Sequence, residues 1–172
     1  MITVLLGYMA SGKSSIGRLV AEKMNYDFID LDAYIEEKEG QEISRIFKTK
    51  GEIYFRKKET LYLVEVLDNN SNLILSLGGG TPCYSSNMNT ILDNKNTKSF
   101  YLKTSISEII DRVGSEKNKR PLIAHLHKKD ELIEFIGKHL FERTPYYNLA
   151  NHQITTDKKQ IEVISNEIIE LL

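Results

Sequence analysis

Residues Gly7-Tyr8-Met9-Ala10-Ser11-Gly12-Lys13-Ser14 carry the pattern G-x-x-x-x-G-K-[ST] between an apolar run and a segment of helical periodicity. Each residue type has a physical reason to be there. Glycines let the backbone curl until successive N–H groups point inward at a chain of phosphates. The helix that follows brings its positive N-terminal end to the same place. Lys13 supplies a charge for the β- and γ-phosphate oxygens, and the Ser14 hydroxyl is a ligand for Mg²⁺. A plain strand-to-helix turn would need neither the lysine nor the serine. Ala10, Ser11, Gly12, Lys13, Ser14 and Ser15 are therefore the expected nucleotide-binding residues.

The loop specifies a nucleoside triphosphate but not a reaction. Asp111-Arg-Val-Gly114 fits the D-x-x-G of GTPases, yet it ends a predicted helix, and Asn94-Lys95-Asn96-Thr97 fails the N-K-x-D pattern at its fourth position. The third apolar run has Ser76 where a second acidic motif would place Asp. Carboxylates stand instead at Asp30 and Asp32. On an extended segment two residues apart they would point to the same side, toward the phosphate loop. One could order Mg²⁺ and the other could receive or orient an acceptor hydroxyl. The competing reading is that Asp32 caps the next helix.

The elements that must position these groups alternate. Strands are predicted at Ile2–Leu6, Tyr26–Asp30, Leu73–Leu77, Ser99–Leu102 and His152–Thr155. Helices are predicted at Lys13–Met24, Asp32–Glu39 (closed by Gly40), Ile43–Lys50 (closed by Gly51), Glu52–Leu67, Met88–Leu92, Ser105–Val113, Glu131–Tyr147 and Lys158–Leu172. In Glu52–Leu67 the apolar face is taken as Ile53, Leu61, Val64 and Leu67. Gly114–Lys129 is polar, basic and unpatterned, hence a loop. Short apolar strands alternating with helices imply an α/β fold, a parallel sheet covered on both faces. Ligands in such sheets sit at the carboxyl ends of the strands, where every motif above falls.

Composition narrows the class further. The chain has 172 residues, one domain by size, with 23 Lys plus Arg against 24 Asp plus Glu. That balance argues against non-specific nucleic-acid binding. Cys83 is the sole cysteine, which excludes an internal disulfide and fits a reducing compartment. No apolar run approaches a membrane span, and the opening residues lack the basic region of a signal peptide, so a cytoplasmic protein is expected.

Taken together the motifs resemble shikimate kinase, within the nucleoside-monophosphate-kinase-like group of P-loop folds. The resemblance runs in order through the phosphate loop, Asp30-Leu31-Asp32, Gly51-Glu-Ile-Tyr-Phe-Arg56-Lys-Lys-Glu59, Gly78-Gly79-Gly80, Lys119-Arg120-Pro121-Leu122 and Glu142-Arg143-Thr-Pro-Tyr146-Tyr147. It implies a three-layer α/β/α P-loop kinase with a five-stranded parallel sheet, a substrate-binding helical region at about 32–62 and a mobile lid at about 112–129. It implies the transfer of the ATP γ-phosphoryl group to the 3-hydroxyl of shikimate, a step of aromatic amino-acid biosynthesis, with Mg²⁺ as cofactor and a monomeric enzyme.

By that resemblance Asp32 binds the shikimate hydroxyls near the transferred proton, and Asp30 orders magnesium through water. Arg56 and Arg143 grip the shikimate carboxylate, with Gly78, Gly79 and Gly80 against the ring. Arg120 closes from the lid onto the phosphates, and Arg112 stacks on adenine. The residue types agree: arginine recognises carboxylates in a bidentate manner, and Glu59, three residues on, can brace Arg56. Taken alone, Arg56 and Arg143 would be ordinary solvated surface residues and the glycines a flexible turn.

The lid segment is basic but lacks interleaved aromatics, so it does not read as a nucleic-acid site. His125, His127, His139 and His152 show no metal-ligand spacing, and Cys83 reads as a packing residue. Thr81-Pro82-Cys83-Tyr84 departs from the small apolar residues expected after the glycines. The nearest rival is a gluconate-type carbohydrate kinase, which shares the loop and also binds an acid. A rival of another class is a nucleotide-binding regulatory module without catalysis, against which intact Lys13, Ser14, Asp30, Asp32 and Arg120 argue.

Overall fold

The computed structural model describes residues 1–114 and 129–172. In chain order the elements are β1 (Ile2–Leu6), α1 (Lys13–Met24), β2 (Asp27–Asp30), α2 (Leu31–Glu39), α3 (Ile43–Asn69), β3 (Leu73–Ser76), a 3₁₀ turn (Thr81–Cys83), α4 (Asn87–Asp93), β4 (Thr97–Lys103), α5 (Ile106–Gly114), α6 (Lys129–Tyr147), β5 (His152–Thr155) and α7 (Ile161–Glu170). The strands form one five-stranded sheet in the order β2-β3-β1-β4-β5, every neighbouring pair parallel. This is the α/β architecture expected, with β1 at the centre.

Alternation along the strands divides the core into two layers. Leu5, Ile74, Phe100, Leu102 and Ile154 pack on α1 and α7 through Ile16, Val20, Ala21, Ile164 and Ile168. Ile2, Val4, Leu6, Leu73, Leu75 and Tyr101 face the opposite way, against residues of α2 through α6. β1 is buried on both faces, which is why its sequence is a short, mostly apolar run without polar alternation.

Gly51 breaks α3 as the sequence implied. It has φ 81° and ψ 170°, a left-handed departure inside an otherwise continuous helical run. The two halves are tied back to α2 by one carboxylate. Glu39 accepts hydrogen bonds from the Tyr54 hydroxyl at 2.7 Å and the Tyr62 hydroxyl at 2.8 Å, and pairs with Lys50 at 3.1 Å and Lys58 at 3.2 Å. These bonds, the one from Tyr54 foremost, hold the Glu39 carboxyl down at about 2. The start of α3 has no side-chain cap of its own; Glu36 accepts from the Ile43 backbone N–H at 2.8 Å instead.

The buried face of this helix differs from the one expected. Ile53 and Leu61 are 76% and 54% exposed, whereas Phe55, Glu59, Tyr62, Leu63, Val66 and Leu67 are buried. Of the expected face Leu67 is buried and Val64 half-buried, so only Ile53 and Leu61 were misplaced; Glu59 interrupts the apolar stripe in the sequence and hid the true face from periodicity. Burial of a charge is permitted here because Arg56 and Thr81 neutralise and hydrogen-bond it. The last helix also starts later than expected: Lys158 takes φ 56°, and α7 begins only at Ile161. Among the described residues no helix is long and apolar enough to cross a membrane.

Candidate active site

The loop after β1 closes over the carboxyl end of the sheet and turns into α1. Ala10 and Gly12 have φ values of 60° and 94°, and Gly7 has φ 144°. These left-handed residues produce the curl that a phosphate cradle requires. A side chain at Gly7 would place Cβ 2.7 Å from the Leu102 carbonyl oxygen on β4, so the loop can lie against the sheet only because that side chain is missing. Lys13 Nζ donates to the carbonyls of Gly7 at 3.0 Å and Tyr8 at 2.9 Å, which aims its charge across the mouth of the loop. The Ser11 hydroxyl is buried without a hydrogen-bond partner among the described residues.

The carboxylates are arranged differently from the sequence expectation. Asp30 ends β2 and caps α2: its Oδ1 accepts from the Asp32 backbone N–H at 3.2 Å. Asp32 lies in the first turn of α2 rather than on the strand. The two therefore do not share a strand face, and Asp30, not Asp32, is the cap. The other Asp30 oxygen accepts from the Ser14 hydroxyl at 2.7 Å, so the strand end is joined directly to the phosphate loop. This pair of hard oxygen donors, beside a phosphate cradle, suits Mg²⁺. Burial, the neighbouring Asp30 and Glu59 charges and Glu36 push the Asp32 carboxyl up to about 6, and Lys13 opposes them.

Each of the three glycines after β3 makes room for a different side chain. A Cβ on Gly78 would stand 2.6 Å from Asp32 Oδ1, and one on Gly80 would stand 3.1 Å from both Nη atoms of Arg56. Gly79 lies between the Met9 backbone N–H of the phosphate loop and Arg143 Nη1, and its carbonyl accepts a hydrogen bond from the Tyr147 hydroxyl. The turn thus brings α2, α3 and α6 together at the end of the sheet.

Arg56 is braced as its spacing suggested. Its Nη1 donates to Glu59 Oε2 at 2.9 Å, and Glu59 Oε1 accepts from the Thr81 hydroxyl at 2.7 Å. The Arg143 guanidinium lies 5.5 Å from the centre of the Tyr8 ring. Arg112 spans the opposite side of the loop: Nη1 donates to the Ala10 carbonyl at 3.1 Å, Nη2 to the Thr156 carbonyl at 3.0 Å, and Nε to Glu108 at 3.1 Å. Cys83 is half-buried, and burial raises its thiol to about 11, in keeping with a packing role.

A cleft of about 430 Å³ runs from Arg112 and Ala10, across Gly12, Lys13, Ser14 and Ser15, to Asp30, Asp32, Gly78 and Gly79. Arg56, Gly80 and Arg143 do not line this volume; they stand just beyond it, behind the glycine turn. Arg120 and the expected lid lie outside the described residues, as do His125 and His127. Tyr8, Thr81, Tyr147 and the Thr156 carbonyl were not anticipated in these roles. Tyr8 and Tyr147 sat inside recognised motifs, but nothing local signalled their partners, which lie on other elements.

A nucleotide loop at the carboxyl end of a central parallel strand, with Asp32 on the same cleft and two arginines just beyond it, defines a P-loop kinase acting on a small molecule. Comparison with known proteins gives the particular family. The family model for shikimate kinase matches residues 9–172. A shikimate kinase from Flavobacterium psychrophilum is 44% identical over 169 residues, covering 98% of this chain and 97% of that protein. The crystal structure of a shikimate kinase from Bacteroides thetaiotaomicron superposes with a TM-score of 0.90 at 34% identity, covering 99% of this chain and 97% of that one. A shikimate kinase from Acinetobacter baumannii, solved in complex with shikimate, gives 0.86 at 30% identity, covering 99% and 91%. The chain belongs to the shikimate kinase family.

Proposed function

We propose that this chain transfers the γ-phosphoryl group of ATP to the 3-hydroxyl of shikimate, giving shikimate 3-phosphate and ADP. The observation that carries the reading is the position of Asp32. It lies on the same cleft as Lys13 and Ser14, and Gly78 touches it, one residue away from the turn that meets Arg143 and Arg56. A carboxylate near the loop that holds a phosphoryl donor, with arginines beyond it, is the arrangement needed for an acceptor carrying both a hydroxyl and an acid.

The residues divide the work by their chemistry. Ala10 through Ser15 wrap the phosphates with backbone N–H groups, and Lys13 exchanges its carbonyl partners for phosphate oxygens, countering the charge that spreads over them in the transition state. Ionised Asp32 accepts the hydrogen bond of the acceptor hydroxyl, orients its oxygen toward the γ-phosphorus and takes up its proton. Arg56 and Arg143 bind the carboxylate and so fix which hydroxyl faces Asp32. Mg²⁺ would be held by Ser14 and, through water, by Asp30, and would supply Lewis-acid neutralisation of the phosphates. Arg112, next to the loop, packs on the adenine, and Arg120 contributes positive charge to the phosphates. Residues at about 32–62 receive the acceptor, and the enzyme acts as a cytoplasmic monomer.

The test is a coupled assay of ADP release with Mg-ATP, adding shikimate, gluconate and nucleoside monophosphates in turn. Stimulation by shikimate alone is the expected result. Stimulation by a different acceptor would leave the phosphate loop intact and overturn the acceptor assignment.

A further inference from the structure

Tyr84 follows the 3₁₀ turn Thr81–Cys83. Its ring centre lies 3.7 Å from the guanidinium carbon of Arg56, the distance of a stacked cation–aromatic pair. Its hydroxyl donates to Glu52 Oε1 at 3.0 Å, and the same oxygen accepts from Arg56 Nε at 3.4 Å. On another edge Nη1 donates to Glu59 Oε2 at 2.9 Å. The guanidinium is thus fixed on one flat face, on its Nε edge and on its Nη1 edge. Among the described residues Nη2 makes no hydrogen bond; it lies beside the open Cα of Gly80.

An arginine loses considerable rotamer freedom when it grips a ligand, and prior ordering reduces that cost. A third carboxylate could also order Arg56, but it would compete with an anionic substrate. An aromatic face orders the side chain without adding negative charge. Phe55 and Phe47 lie farther from the guanidinium carbon, at 5.1 and 6.0 Å, and leave the stacked position to Tyr84.

We propose that Tyr84 is a positioning residue for acceptor recognition: it stacks on Arg56, ties down Glu52, and presents the Nη2 edge to the carboxylate of the acid. The proposal rests on the reading of Arg56 as a carboxylate-binding residue. Tyr84 is 36% exposed, so truncating it leaves no cavity in the core.

The test is steady-state kinetics of the full chain at saturating Mg-ATP with shikimate varied. Tyr84→Ala is expected to raise the shikimate KM about three- to tenfold, while kcat and the ATP KM stay within about twofold. Tyr84→Phe, which keeps the stacked ring and loses only the bond to Glu52, is expected to raise the shikimate KM less than Tyr84→Ala does. Shikimate methyl ester, used as a competitive inhibitor, offers Arg56 no anion, so its Ki is expected to be equal in the parent and Tyr84→Ala. An unchanged shikimate KM in Tyr84→Ala would overturn the proposal. So would an ester Ki that rises in parallel with KM, because Tyr84 would then merely shape the loop. A parent protein that releases no ADP in response to shikimate would instead remove the acceptor reading, and this proposal with it.

Discussion

Asp32 makes a pH-dependent prediction whose size follows from its surroundings. Burial and the nearby Asp30 and Glu59 charges raise its carboxyl from 3.8 to about 6, with Lys13 pulling the other way. At pH 5 only about one molecule in ten would carry ionised Asp32, whereas an unperturbed aspartate would be more than roughly nine-tenths ionised. If the ionised form orients the acceptor, kcat/KM for shikimate should fall about tenfold per pH unit below 6.

The same shift has a consequence for stability. The folded protein binds this proton more tightly than the unfolded chain, so the contribution is fully present below pH 3.8 and is lost as pH rises through about 6. The two-unit rise corresponds to at most about 3 kcal/mol. Asp32→Asn, which cannot ionise, should therefore be more stable than the parent at pH 7 and similar to it near pH 4. The titration can be followed by the carboxyl carbon resonance of labelled aspartate, assigned by its loss in Asp32→Asn, and the stability by denaturant unfolding at both pH values. A midpoint near 4, or an acid limb in kcat/KM that persists unchanged in the slower Asp32→Asn, would refute the argument.

The remaining predictions concern the loop and the acceptor side. Lys13→Ala removes the charge that bonds to Gly7 and Tyr8 aim across the phosphate loop, and should lower kcat at least about a hundredfold in the ADP-release assay. Retention of kcat would contradict the loop assignment. Arg56→Lys cannot bind Glu59 and a substrate carboxylate with one planar fork, and should raise the shikimate KM about tenfold while leaving the ATP KM nearly unchanged. Gly7→Ala would force Cβ against the Leu102 carbonyl at a φ that disfavours side chains, and should cost about 2–4 kcal/mol by denaturant unfolding; a loss below measurement error would show that the loop yields.

Much of the fold was legible because its signals are local. β1, α1 and β5 fall where apolar runs and helical spacing put them, and Gly40 and Gly51 punctuate the helices by left-handed backbone that other residues adopt reluctantly. The phosphate loop was legible for the same reason, since its function depends on backbone conformation and on residues within eight positions of one another. The later motifs, taken in order, resembled one family, and the chain belongs to it.

What the tertiary structure decided depends on partners distant in sequence. Glu59 is a charge in a buried stripe, so local periodicity chose Ile53 and Leu61 for the core; only the meeting of α3 with Thr81 makes burial of Glu59 affordable in hydrogen-bond terms. Asp30 and Asp32 are two residues apart, but the chain changes from strand to helix between them, and that change separates a cap bonded to Ser14 from a carboxylate beside Gly78. The glycine turn, Tyr84 on Arg56 and Tyr147 on Gly79 likewise join elements that no short window of sequence contains. The sequence by itself determined which chemical groups the protein owns and the local backbone that presents phosphate-binding N–H groups. Packing of distant elements determined which carboxylate is a cap, which is raised toward neutrality, and which edges and face of Arg56 are held by Glu52, Glu59 and Tyr84, because burial and electrostatic coupling exist only once those elements are in contact.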